Sequence, residues 1–323
     1  MFENTTSVIE KLQKRLRHSI VGRDDVIDLV IIALLADGHV LLEDYPGSGK
    51  TTLAKSLGNS IVPDNPNIKP MRRVQFTPDL LPSDVTGTTI FDPQERKFHF
   101  RAGPIFCHVL LADEINRTSP KVQASLLEAM AEKQATIDNT TYQLDELFFV
   151  IATQNPLDLA GTYPLPNAQL DRFLFKIKMT HISKTSELDL LMRLDTVVGN
   201  VPVDFPMVAR KDILKVREEI KSSVYVAPAI KEALVQFADE TRDSNLSLQG
   251  ISTRSLVLTI PALQAHAVLN KRDYVIPEDL LSLAPFIFAH RLMMAPGSHS
   301  AEELVEQALK RPLEMLSKKS LQR

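Results

Sequence analysis

The run LLEDYPGSGKTTLAKSL (Leu41–Leu57) sets Gly47, Ser48, Gly49, Lys50, Thr51 and Thr52 between an apolar stretch and a helix-forming one. Such a segment can wrap a polyphosphate, because backbone N–H groups point inward at the oxygens and a helix N-terminus completes the cradle. Gly47 and Gly49 let the backbone approach closely, Lys50 reaches the β- and γ-phosphates, and Thr51 offers its hydroxyl to Mg²⁺. The pattern G-x-x-x-x-G-K-[ST] asks for glycine where Asp44 stands. That position needs an unusual backbone angle more than a particular side chain, and Asp tolerates such angles. Pro46 fixes its own φ and stiffens the turn. About sixty residues later, HVLLADEINR ends an apolar run on Asp113 and Glu114. Asp113 is suited to hold Mg²⁺ beside Thr51, and Glu114 to polarise a water for attack on a γ-phosphate. A Gly-rich turn, or two solvated acids at a strand end, is the bland reading of either stretch alone. Together, in this order, they point to the chemistry of a Mg²⁺-bound nucleoside triphosphate.

The elements that must hold these residues are legible as periodicity. IDLVIIALLADG reads as a buried helix with Gly38 placed to cap its end. Strand-like runs follow at 39–43, 72–76, 108–113, 148–153 and 173–179. Continuous apolar runs separated by helices predict a parallel sheet covered on both faces, an α/β fold. Two inserts break the rhythm, one at about 85–102 and a second at about 134–146 with a hairpin turn at Asp138-Asn139. After about residue 180 the strand pattern stops and helical periodicity takes over, with a Pro-rich turn at 199–206. The expected division is a nucleotide-binding core over 1–180 and an all-helical domain over 181–323.

Composition narrows the function classes. The chain has 323 residues, enough for two domains and two cores, and a formal net charge of −3, which argues against a nucleic-acid binder driven by positive charge. One cysteine, Cys107, excludes an internal disulfide framework and suits a reducing compartment. The first residues, MFENTTSVIEKLQKRL, lack the apolar centre of a signal peptide, and the longest apolar run, 26–36, is too short to span a bilayer. A cytoplasmic location is expected. The eight histidines show no metal-ligand spacing, so no zinc site is expected.

The chain resembles the MoxR family of AAA+ ATPases. The segments that carry the resemblance are HVLLEDYPGSGKTTLAK, VQFTPDLLPSDVTG, GPIFCHVLLADEINRTSPKVQASLLEAMAEKQATID, FFVIATQNP, GTYPLPNAQLDRFLFKI and DYVIPEDL, in family order over nearly the whole chain. The resemblance implies an AAA+ P-loop core followed by a helical lid. It implies that the two inserts are the helix-2 insert and the pre-sensor hairpin. It also implies roles. Asn155 matches sensor 1 and orients the attacking water. Arg172 matches the arginine finger that reaches the ATP of the adjacent subunit. Arg254 matches sensor 2, by which the lid touches the γ-phosphate. Ile20, Val21 and Gly22 line the adenine pocket. An acid at the position of Asp44 is familiar in the family. The implied partners are further copies of the chain, in a homo-hexameric ring, and a client protein, with a von Willebrand factor A domain protein as first choice. Read as residues alone, Arg172 could pair with Asp171, Arg254 could be a surface charge, and Asn155 could be turn chemistry before Pro156. Arg117 is a less specific candidate for an inter-subunit contact.

Three rivals remain. Asn270–Asp273 spells NKRD, which matches the N-K-x-D guanine reader of GTPases. It falls between two helical patterns in the predicted lid, however, rather than after a sheet strand. A kinase must exclude water, which an adjacent Glu114 would defeat. A nucleotide-dependent scaffold with little turnover is the non-enzymatic alternative. The loop reading has a direct consequence. In competition binding, ATP should be preferred over GTP, and Asp273→Ala should leave that preference unchanged. Selective loss of GTP binding in Asp273→Ala would make the loop a base reader.

Overall fold

A strand whose every side chain is apolar is stable only where both faces are covered, a condition that a parallel sheet between helices meets. A computed structural model of the chain, which describes residues 2–43, 47–156, 161–193, 205–297 and 300–320, contains such a sheet. Asp44, Pro46 and most of the 199–206 turn lie outside the described residues. The strands are β1 (Val40–Glu43), β2 (Ile61–Val62), β3 (Lys69–Gln75), β4 (Gly87–Asp92), β5 (Lys97–Ala102), β6 (Cys107–Asp113), β7 (Gln134–Ile137), β8 (Thr140–Gln143), β9 (Phe149–Gln154) and β10 (Phe175–Lys178). Five of them form the central sheet in the order β10-β1-β9-β6-β3, every pair parallel. The helices are α1 (Glu3–Ser19), α2 (Asp24–Leu35), α3 (Lys50–Asn59), α4 (Pro82–Thr86), α5 (Pro120–Glu132), α6 (Asn167–Leu170) and α7 (Lys184–Met192), then α8 (Arg210–Ser223), α9 (Pro228–Arg242), α10 (Thr253–Leu269), α11 (Pro277–Phe288) and α12 (Ala301–Ser320). None of the described helices is long and apolar enough to cross a membrane.

Two features differ from the sequence pattern. Short strands do occur beyond residue 180: Val208–Ala209 pairs with β2, and Ser247–Gln249 pairs with Met293–Met294. Strands of two or three residues carry no periodicity to read. At the end of α2 it is Asp37, not Gly38, that turns left-handed, with φ +56°. Gly38 N–H closes the turn on Ala33 O at 2.9 Å. Gly38 is glycine for another reason, since a Cβ there would lie 2.5 Å from Leu174 Cβ.

The sheet divides the interior by parity. Val40, Leu42, Val109, Leu111, Phe149 and Ile151 point to one face, and Leu41, Leu110, Ala112, Phe148 and Val150 to the other. The second face is covered by α5 through Val122, Leu126 and Met130. The first is covered by α1, α2 and α3, and its cluster continues without a break into the helical part through Val216, Phe237, Leu263, Leu280 and Ile287. The two expected cores therefore follow the faces of the sheet and not the domain division. The cause is α2. Nine of its residues, from Val26 to Leu35, are buried, because it lies between the sheet and α10. Burying each large side chain there contributes about 1.5–3 kcal/mol.

The two inserts are antiparallel hairpins, β4–β5 and β7–β8. They are joined to each other. Phe100 stacks on Tyr142 with ring centroids 3.8 Å apart, and the Thr89 hydroxyl donates to the Asp138 carboxylate. At the base of the first hairpin Gly87 has φ +99°, and a Cβ on Gly103 would lie 2.4 Å from Gly87 N. Farther out, Phe91 and Phe98 are exposed, their rings 5.2 Å apart. The turn brings Asp92, Glu95 and His99 within 4.8 Å. Asp92 there accepts the N–H groups of Gln94 and Glu95, and His99 pairs with Glu95 at 2.9 Å, so the cluster is occupied by turn chemistry.

His39, just before β1, ties the two halves of this core. Its Nδ1 accepts the Val150 N–H at 3.1 Å, and its Nε2 donates to Met130 O at 3.3 Å, so the ring is held neutral. Burial pushes its pKa down to about 4, against the opposing pull of the Met130 carbonyl and Asp37. Unfolded, the ring takes up a proton near pH 6.5. Between these values the unfolded chain binds the proton and the folded one does not. Stability should be fully present above pH 6.5 and fall by up to about 3 kcal/mol as pH drops toward 4. Buried His290 shifts in the same direction. Urea unfolding against pH should show this slope, and His39→Gln should flatten part of it; an unchanged slope would remove His39 from the account.

Candidate active site

The C-terminal ends of β1, β9 and β6 lie side by side, so the segments that leave them share one edge of the sheet. β1 leads to the glycine loop. Gly47 and Gly49 have φ of +89° and +92°, and a Cβ on either would meet none of the described residues within 4 Å. The backbone angle requires glycine here, and the space over the loop is open. Lys50 begins α3, whose first N–H groups have no side-chain cap. The Ser48 hydroxyl is buried without a partner among the described residues. An open cradle, an uncapped helix start and an orphaned hydroxyl fit a bound polyphosphate.

Asp113, the last residue of β6, is buried yet charged. Lys50 Nζ stands 3.3 Å from its Oδ1, Arg73 donates to Oδ2 through Nη2 at 2.6 Å and Nε at 3.2 Å, and Thr153 Oγ1 donates to Oδ1 at 2.8 Å. Burial alone would raise its pKa, but Arg73, the Thr153 hydroxyl and Lys50 outweigh it and hold the carboxyl below the usual range. Thr51 follows Lys50 in α3 and is partly buried. An anionic Asp113 in contact with Lys50, and the Thr51 hydroxyl one residue further along α3, are oxygen donors suited to Mg²⁺.

Glu114 follows with φ +56°, a left-handed backbone that non-glycine residues rarely adopt. Its N–H donates to Thr153 Oγ1 at 2.9 Å, so one hydroxyl fixes both acids. Gln75 Nε2 donates to Glu114 Oε2 at 2.5 Å. Arg117 Nε stands 3.2 Å from the same oxygen but off the line of a hydrogen bond, so that contact is one of charge. Asn155 directly follows β9, between the glycine loop and the two acids. Next to it Gln154 Nε2 donates to Glu43 at 2.8 Å, and Lys176 pairs with the same Glu43 oxygen at 2.7 Å.

Ile20 and Val21 share a cleft of about 580 Å³ with Gly47, Ser48, Gly49, Thr52 and, from the segment after β10, Met179, Ile182 and Leu190. Gly22, next in the chain after Val21, packs against α7. It has φ +72°, and a Cβ would lie 2.5 Å from Ser186 in α7. Two of the three residues assigned to adenine, Ile20 and Val21, thus line one space with Gly47, Ser48, Gly49 and Thr52 of the phosphate loop.

Arg172 and Arg254 lie elsewhere. Leu174 N–H bonds to His39 O at 2.8 Å, next to the start of β1, whereas the glycine loop leaves its far end. Asp171 and Arg172 therefore sit at the opposite end of the sheet, separated by a strand length of about 13 Å. Arg254 is exposed in the first turn of α10, and the Ser255 hydroxyl one residue on donates to Asp171 at 2.8 Å. The structure brings Arg254 together with the Arg172 loop and not with the glycine loop of its own chain. Asp171 is paired with Arg291 rather than with Arg172. Asn270–Asp273 is a loop at the end of α10, where Asn270 Nδ2 donates to His266 O at 2.9 Å and Arg272 pairs with Asp279. Cys107 is buried, and burial pushes its thiol up to about 12.

Sequence reading missed Arg73, Gln75 and Thr153. A signal was present. In RRVQF the polar residues Arg73 and Gln75 alternate with buried Val74, and the register sets Gln75 opposite Asp113. The pairing of β3 with β6 was the missing step.

A family model described as "ATPase family associated with various cellular activities (AAA)" matches residues 39–175, and one described as "AAA lid domain" matches 239–309. The chain is 44% identical over 311 residues to Uncharacterized protein YeaC of Bacillus subtilis (strain 168), covering 95% of each. It is 34% identical over 322 residues to Chaperone MoxR1 of Mycobacterium tuberculosis, covering 96% of this chain and 82% of that one. A crystal structure from Cytophaga hutchinsonii, described as a candidate ATPase, superposes with a TM-score of 0.82 at 34% identity, over 95% of this chain and 96% of the other.

The packing of Gly22 against α7, next to Val21, yields a test of the cleft. Gly22→Ala forces a side chain into a left-handed position and against α7, and should weaken adenine nucleotide binding about tenfold. Calorimetric titration with ATP checks this; unchanged affinity would move the base out of this cleft.

Proposed function

Since the chain belongs to the MoxR family of AAA+ ATPases, we propose that it binds Mg·ATP in this cleft, hydrolyses it, and couples the reaction to chaperone-like remodelling of a partner protein. Asp113 carries the reading. A buried carboxylate kept anionic between Lys50 and Arg73 is a weak source of stability and a good ligand for a divalent cation. When bound, Mg·ATP supplies the scissile bond and the divalent charge. Gly47–Gly49 and the start of α3 bind the phosphates through backbone N–H groups, and Lys50 adds its charge at the β- and γ-oxygens. Thr51 and Asp113 hold the cation. Glu114 orients a water and takes its proton, with Asn155 beside it on the neighbouring strand. Ile20, Val21, Gly22 and Thr52 complete the site. Residues 1–180 act as the nucleotide core and 181–323 as the connecting helix and lid.

Arg172 then serves the neighbouring subunit, because its distance from its own glycine loop leaves it no part in its own site. The placement of Arg254 beside it supports the same direction of action. A closed homo-hexameric ring gives every site such a neighbour. The paired hairpins reach toward the client, for which a von Willebrand factor A domain protein is our first choice, and the whole works in the cytoplasm. A second reading, a nucleotide-dependent switch with little turnover, is favoured by the grip of Gln75 and Arg117 on Glu114.

Steady-state phosphate release separates the two readings. The wild type should turn over. Glu114→Gln should bind Mg·ATP and lose about 10²-fold or more in rate. Lys50→Ala should lose binding, and Arg172→Ala should bind but hydrolyse poorly. Mixing the last two, with subunit exchange shown by labelled chains, should restore part of the activity. A wild type without turnover supports the switch. A dead mixture under confirmed exchange removes the role of Arg172 in trans.

A further inference from the structure

The loop that carries Arg172 is gripped by the helical part of the chain through a buried polar joint that has no place in the chemistry above. Asp171 Oδ1 accepts from Arg291 Nε at 2.7 Å and from the Ser255 hydroxyl at 2.8 Å, and Oδ2 from the Ser252 hydroxyl at 3.4 Å. Arg291 is buried, and its remaining donors are spent on backbone. Nη2 donates to Phe173 O at 2.7 Å and Asp171 O at 3.3 Å, and Nη1 to Leu174 O at 3.3 Å and to Ile287 O. His290 Nε2 stands 3.2 Å from Phe173 O. One guanidinium thus clasps the carbonyls on both sides of Arg172, while the Arg172 side chain stays partly exposed. Ser252 and Ser255, which complete the clasp, flank Arg254, and the Arg254 charge is felt at Arg291.

Stability is a poor reason for such a joint, because well-packed apolar residues in place of a buried ion pair are often as stable or more so. What an arginine fork adds is geometry: its donors accept one orientation of the loop and no other. We propose that Asp171, Arg291 and Ser255 are positioning residues that fix Arg172 and Arg254 as one unit, so that movement of the helical part carries both arginines together to the nucleotide of the neighbouring subunit. This rests on the reading of Arg172 given above.

The test compares wild type, Arg172→Ala, Asp171→Asn and Ser255→Ala as full chains. Asp171→Asn should keep ATP affinity within about twofold and lose about 10²-fold in kcat, the cost of a misplaced catalytic group. Ser255→Ala should show a smaller loss in the same direction. Asp171→Asn mixed with Lys50→Ala should regain activity, since the second chain brings an intact clasp to the intact site of the first. A clasp that merely stabilises the fold would lower Tm without this split between kcat and affinity and without rescue. If Asp171→Asn does not fold, Ser255→Ala decides, and wild-type kcat in it overturns the proposal. If Arg172→Ala is inactive while Asp171→Asn is fully active, the clasp alone falls. If Arg172→Ala turns over like the wild type, the role of Arg172 falls and the clasp with it.

Discussion

The arrangement depends on keeping one carboxylate charged out of water. Asp113 ends a strand that is buried along its whole length, and an anion in such a place must be met by cations and donors or it takes up a proton. Each neighbour contributes one. The helix after β1 brings Lys50, β3 brings Arg73, and β9 brings Thr153. Only the order β1-β9-β6-β3 sets all three around the tip of β6. The topology of the sheet and the charge of a single residue are in this sense one requirement. The same Thr153 hydroxyl holds the N–H of Glu114, so the conformation of the second acid follows from the solvation of the first.

The helical part is fastened to this core in two ways that differ in kind. One is apolar and broad, the cluster that runs from α2 into α8–α11. Apolar contact has little directional preference, and helices can slide on it by small steps. The other is polar and narrow, the fork of Arg291 on the loop before β10. Hydrogen bonds to fixed carbonyls do not slide. The first surface therefore sets how firmly the halves are held, and the second the angle at which they meet.

Much of this was legible in the sequence, for definite reasons. Glycines at left-handed positions, an apolar run ending in two acids, and strands apolar on both faces leave local marks, and Gly47, Gly49, Asp113, Glu114 and the parallel sheet were read from them. Val21 and Gly22 came from the family resemblance, and of the two Val21 lines a cleft with the loop. Arg73, Gln75 and Thr153 act across strands, and a linear reading has no register until the pairing is known. The partner of Asp171 is Arg291, 120 residues away, and nothing local announces it. Asp37 and Gly38 show a subtler limit. The turn was placed correctly and its left-handed residue was not, because the glycine was needed for Leu174 and not for φ.

The base of the β4–β5 hairpin also bears on how much substitution each part of it can tolerate. Gly87 and Gly103 cross so closely there that any added carbon would strike backbone, which has nowhere to yield. The Phe100–Tyr142 stack next to them ties a second hairpin to whatever happens in the first. The turn from Asp92 to Lys97 is exposed or nearly so, and the contacts that hold it, Asp92 with the Gln94 and Glu95 N–H groups and Glu95 with His99, stay within the hairpin. A side chain added at the root therefore has to push backbone apart, whereas one changed at the tip, with the exposed rings of Phe91 and Phe98 behind it, disturbs little beyond the turn itself.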